Sequence, residues 1–104
     1  MNKRLVVPLL GTLFLSACNF VKLAPNAADV LVLKPYQARE CEQLRRTTTQ
    51  VMSKVWFVAR NEESMAEELT ILAKNTAVKL GGNAVVPDSA ISEGKQRFII
   101  YNCP

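Results

Sequence analysis

Histidine is absent from the 104-residue chain. That removes the commonest general base and the commonest metal ligand together. A serine nucleophile would then need a lysine base, and the S-x-x-K spelled by Ser92-Glu93-Gly94-Lys95 falls on a turn pattern. Four carboxylates cluster at Glu62, Glu63, Glu67 and Glu68. Glu63 and Glu67 stand one helical turn apart, but nothing else at ligand spacing joins them to hold a hard cation. They read as a solvated first turn whose charge matches a helix dipole. Gly81-Gly82-Asn83 suggests a phosphate loop only on first sight. It fits neither G-x-G-x-x-G nor the P-loop, and it follows a helical pattern instead of opening one. These residues predict no catalytic, cofactor-binding or metal-binding set, and a chain that is not an enzyme.

Two pairs remain as candidate contact residues. Arg45-Arg46 lies beside threonines, either as a patch for anionic material or as an exposed strand face. Trp56-Phe57 is the largest apolar pair. Aromatics are enriched at binding hot spots, and in a small core a tryptophan also commonly covers the open end of a sheet.

The three cysteines divide by position. Residues 1–4 are basic, Leu5–Leu15 is apolar, and Ser16-Ala17 are small, which is the order of parts in a secretory signal. A spanning helix needs about 20 apolar residues, and Pro8, Gly11 and Asn19 make this stretch a poor span. Leu15-Ser16-Ala17-Cys18 resembles the bacterial lipobox, in which the cysteine thiol receives a diacylglyceryl group and the signal is cut before it. Cys18 is therefore the expected lipidation site. Two or more acyl chains hold a protein stably on a membrane where one does not. Asn19, in place of an aspartate that would resemble an inner-membrane retention signal, favours the outer membrane. Cys41 and Cys103 are left as an even pair in an oxidising compartment. A bridge between them would close a loop of about 60 residues and stabilise by roughly 4 kcal/mol. A redox-active pair is the alternative, but no C-x-x-C is present and neither cysteine opens a predicted helix.

The charge balance excludes another class. The chain carries 13 Lys and Arg against 9 Asp and Glu, and loss of Lys3 and Arg4 with the signal leaves 11 against 9, net +2. No run of lysine and arginine points to nucleic acid.

The elements that must position these residues follow from patterning. Residues 18–28 lack any period and read as a lipidated tether, with the folded domain at 29–104. Asp29–Lys34 is a β-branched apolar run closed by Pro35, the first predicted strand. Leu44–Met52 is the second, and Val55–Val58 either extends it or plugs the core. Met65–Leu80 is the predicted helix, with Ser64 and Glu67 as a capping box and Gly81 at its end. Its stripe is Met65, Leu69, Leu72, Thr76 and Leu80, with Ala73 and Ala77 beside it, leaving Glu67, Glu68, Lys74 and Lys79 in water. Asn83–Val86 and Arg97–Cys103 complete the set, separated by a turn at Ser92-Glu93-Gly94. The order is β-β-α-β-β. An α+β fold follows, a small sheet of about four strands with one helix packed on one face and one disulfide.

At Gly81-Gly82-Asn83-Ala84-Val85-Val86 and Tyr101-Asn102-Cys103-Pro104 the chain resembles the DUF4156 family of small bacterial lipoproteins. The shared order is a lipobox, a strand, a cysteine, a helix ending in a GGN-type motif and a terminal Y-x-C strand, over roughly residues 29–104. Family members resemble in turn the folded domain of the outer-membrane lipoprotein that senses stress for the Rcs phosphorelay. That domain has two disulfides where this chain can form one. The family has no established activity, so the resemblance implies more about the fold than about the function. The expected role is a non-catalytic envelope lipoprotein, held on the membrane at Cys18, that contacts another envelope protein as a sensing or assembly module. The alternative is a small anchored enzyme or ligand carrier facing the periplasm.

Overall fold

The computed structural model describes residues 21–55 and 58–104. In chain order they form strand β1 (Leu31–Val32), β2 (Glu42–Gln50), β3 (Lys54–Val55), β4 (Val58–Ala59), helix α1 (Glu62–Lys79), β5 (Ala84–Pro87) and β6 (Lys95–Asn102). Short 3-10 turns at Ala27–Asp29 and Pro35–Ala38 flank β1. The main sheet runs β1-β5-β6-β2, and β3-β4 is a separate two-stranded ribbon. β1 is parallel to β5, while β6 is antiparallel to both β5 and β2. The fold is α+β.

The core grows from the run Phe98-Ile99-Ile100, whose period of two feeds both faces of the sheet. Phe98 and Ile100 pack with Leu69, Ala73, Ala77, Val85 and Val30 on the helix side. Ile99 lies opposite Val86 on the other face, where both are buried. β1 and β2 stand at opposite edges, so the chain between them must cross the sheet, and Ala38 on that crossing is buried outside the helix-side cluster.

The helix begins earlier than expected. Asn61, not Ser64, is the N-cap, and its side chain accepts the Glu63 N–H at 2.7 Å and the Ser64 N–H at 3.4 Å. The buried line is Met65, Leu69, Ala73 and Ala77. Leu72, Thr76 and Leu80, expected at its centre, are half-buried flanks. The alanines let the helix lie close to the sheet. Glu67 and Lys79 are exposed as expected; Lys74 is half-buried and Glu68 is paired with Arg60.

Three other expectations change. The first strand shrinks to two residues because Asn26 takes a left-handed φ of 70° and starts a 3-10 turn, while Pro35 opens another. The segment expected as a tether up to Ala28 is docked on the helix from Lys22 onward, and Ala27 is fully buried. The half-buried state of Ile71, Leu72 and Val78 fits this second cover on α1. The Val55–Val58 run does not extend β2: Val55 pairs with Val58 across β3 and β4.

Candidate functional site

The glycines after α1 are structural. Gly81 has φ +79° and its N–H donates to the Val78 carbonyl, while the Gly82 N–H donates to the Ala77 carbonyl. Together these satisfy the last helical carbonyls in the pattern a left-handed C-terminal residue permits. Gly82 has no room for a side chain: a Cβ there would sit 2.7 Å from Ile100 Cγ2 and 2.9 Å from the Tyr101 carbonyl oxygen. Asn83 then clasps the far end of β6. Its Nδ2 donates to the Cys103 carbonyl at 2.9 Å, and its Oδ1 accepts the Cys103 N–H at 2.7 Å. Cys103 is bonded to Cys41, with their Cα atoms 4.2 Å apart. The bridge fastens the end of the β1–β2 crossing to the end of β6. Beside it lies a groove of about 420 Å³ lined by Asp29, Leu33, Gln37, Glu40, Asn83 and Cys103, among others.

A second asparagine does a similar job on the other side of the helix. Asn75 Oδ1 accepts the Ala24 N–H at 2.7 Å, and its Nδ2 donates to the Lys22 carbonyl at 2.8 Å. The residues just after the lipobox-like segment are thereby tied to α1.

The arginines lie where the chemistry is most accessible. β2 is an edge strand, and Arg45 and Arg46 are both exposed on it. Adjacent strand residues point to opposite faces, so the two guanidinium groups flank the edge. Arg46 Nε is 3.7 Å from Asp88 Oδ2, and Arg97 Nε donates to that same oxygen at 2.9 Å. One carboxylate thus serves two arginines. Arg45 makes no ion pair among the described residues. The excess charge at this edge is positive.

Arg60 and Glu68 form the most enclosed ion pair among the described residues, with side chains 14% and 17% exposed. Nη1 donates to Oε1 at 3.0 Å and Nη2 to Oε2 at 2.7 Å, while Nη1 also donates to the Met52 carbonyl at 3.1 Å. Hydrogen bonding to Glu68 raises the guanidinium pKa above its already high value, opposed by burial and helped by the carboxylate charge. The pair ties the strand ribbon to the helix. It acts as a brace.

Of the residues singled out from the sequence, Cys41 and Cys103 meet and Arg45 and Arg46 sit side by side on one edge. Cys18, Trp56 and Phe57 lie outside the described residues. Sequence reasoning missed Asn75, Asn83 and the Arg60–Glu68 brace. Asn83 had a signal, an amide side chain straight after a Gly-Gly helix stop; Asn75 had none, because its partners lie more than 50 residues away in the chain. Among the described residues no three of His, Cys, Asp and Glu gather where they could hold a metal ion, and no helix is long and apolar enough to cross a membrane.

A family model described as a domain of unknown function, DUF4156, matches residues 21–103. No curated protein and no solved structure matches the chain.

Proposed function

The chain belongs to the DUF4156 family, and from that premise we propose that it is a non-catalytic lipoprotein of the bacterial envelope, anchored through Cys18 and acting by contact with another envelope protein. The observation that carries this reading is the exposed basic edge of the sheet at Arg45 and Arg46. It presents charge and strand backbone to a partner. Lipid anchorage at the outer membrane rests on the signal-like residues 1–17, the lipobox-like Leu15–Cys18 and Asn19. The Asn75 clasp supports close tethering, since only three residues then separate Cys18 from Lys22, a span of at most about 14 Å. Confinement near a membrane raises the effective concentration of a weak partner without adding a contact. A sensing or assembly role is the form of contact the resemblance suggests.

The test is complementation of a strain lacking the protein. Wild type is compared with a folded, unlipidated, periplasmic form at equal abundance. The expected result is that the soluble form fails to restore function although its disulfide and fold are intact. Full rescue would assign the protein to the alternative, a diffusible enzyme or ligand carrier.

A further inference from the structure

Among the described residues the outer edge of β2 is an unpaired ladder of backbone groups, and the register fixes which of them face outward. β2 pairs with β6 from Glu42 to Gln50, with Thr49 opposite Gln96 and Thr47 opposite Phe98. Just beyond, the Val51 N–H donates to the Gly94 carbonyl at 2.8 Å. In an antiparallel pair the bonded residues alternate, so Thr49, Thr47 and Arg45 turn their backbone groups toward β6. Gln50, Thr48 and Arg46 then turn theirs outward. Among the described residues no strand takes them up. Three outward N–H and C=O pairs in register suit the addition of an extended segment.

Charge says which segment. Arg45 and Arg46 lie on opposite faces of this edge. Asp88 is shared between Arg46 and Arg97, and Arg45 is unopposed among the described residues. Edge strands commonly carry such charges to repel indiscriminate pairing. The same charges select a strand of opposite sign. We propose that β2 is a docking edge for an acidic extended segment of a partner protein, which adds to the sheet beside Arg46, Thr48 and Gln50 with adjacent carboxylates reaching Arg45 and Arg46. This rests on the contact reading above and names the chemistry of its partner.

The experiment uses the full chain in detergent micelles and three fluorescent peptides of one β-prone pattern: acidic TVEDVTV, neutral TVQNVTV and basic TVKKVTV. The acidic peptide should bind and the others should not, with affinity falling as salt rises. Amide exchange followed by NMR should show new protection at Arg46, Thr48 and Gln50. Thr48→Pro removes an outward donor but no bond to β6, and should weaken binding about tenfold with the thermal midpoint little changed. Arg45→Glu, at a side chain with no ion pair among the described residues, should shift the preference toward the basic peptide. No binding, equal binding of all three peptides, or protection elsewhere would overturn the proposal. So would self-association of the chain abolished by Thr48→Pro, which would give the edge to a second copy. A failed edge combined with no rescue by the soluble form leaves the contact reading standing. Full soluble rescue overturns that reading whatever the edge binds.

Discussion

Asn83 sits where three structural demands meet: the helix has just ended, β5 is about to start, and the bridged end of β6 lies alongside. An amide is the side chain that can both donate to and accept from one backbone unit, which is what Cys103 receives. Asn83→Ala should cost about 1–2 kcal/mol, since both bonds are lost at an exposed site where water replaces part of them. Asn83→Asp should cost at least as much, because it keeps the acceptor but turns a carboxylate oxygen toward the Cys103 carbonyl. Gly82 is constrained by contact and Gly81 by backbone conformation. Gly82→Ala should destabilise by about 1–3 kcal/mol, because one of the atoms in its way is the Tyr101 backbone oxygen, which cannot rotate aside. Urea unfolding of the oxidised protein checks all three variants.

At the scale of the element, α1 is held by its cap, its buried line and the segment docked on it. The cap is Asn61, so Asn61→Ala should cost about 1 kcal/mol while Ser64→Ala stays within about 0.5 kcal/mol. The buried line predicts a matching contrast between two leucines. Leu69 is fully buried and packs against the sheet, so Leu69→Ala should cost about 2–5 kcal/mol. Leu72 is half-buried on the flank, and Leu72→Ala should cost clearly less than Leu69→Ala. Equal costs would mean that the helix is rotated about its axis from the position described. The pair is best measured by equilibrium denaturation with unchanged slope, which keeps compactness out of the comparison.

Among the described residues, the disulfide and one side-chain clasp tie segments more than 50 residues apart in the chain. The Cys41–Cys103 bridge joins residues 62 apart in sequence, and converting both to serine should remove about 4 kcal/mol on the chain-entropy model. That is a large share of the stability of so small a domain, so reduction alone should lower the thermal midpoint steeply. The Asn75 clasp is the second tie. Asn75→Leu should free Lys22–Ala24 from the helix and increase tryptic cleavage after Lys22 while the far-UV spectrum is retained. An unchanged cleavage rate would show that burial of Ala27, and not the amide, holds the segment in place.

The elements that local rules govern were legible before the structure. The helix announced itself through its spacing and its glycine stop, β5 and β6 through short β-branched and aromatic runs, and the bridge through the even count of cysteines left after Cys18. Such features depend on residues within a few positions of each other, or on a count. The absence of histidine and the spacing of Gly81-Gly82-Asn83 likewise argued against several chemistries without a coordinate. Tertiary structure decided the rest. The helix starts three residues before the expected Ser64, at an Asn61 cap beside the Arg60 that reaches Glu68 and Met52. The span of β1 was set by the turns that bend the chain onto α1 and then across the sheet. The docking of Lys22 on Asn75 was invisible because a single amide carries no periodicity. The position of β2 at the sheet edge was equally hidden, since strand order is a choice among long-range pairings that residue patterning leaves open. That choice is what turns Arg45 and Arg46 from two cations in a threonine-rich run into a charged edge whose outward backbone no described strand takes up.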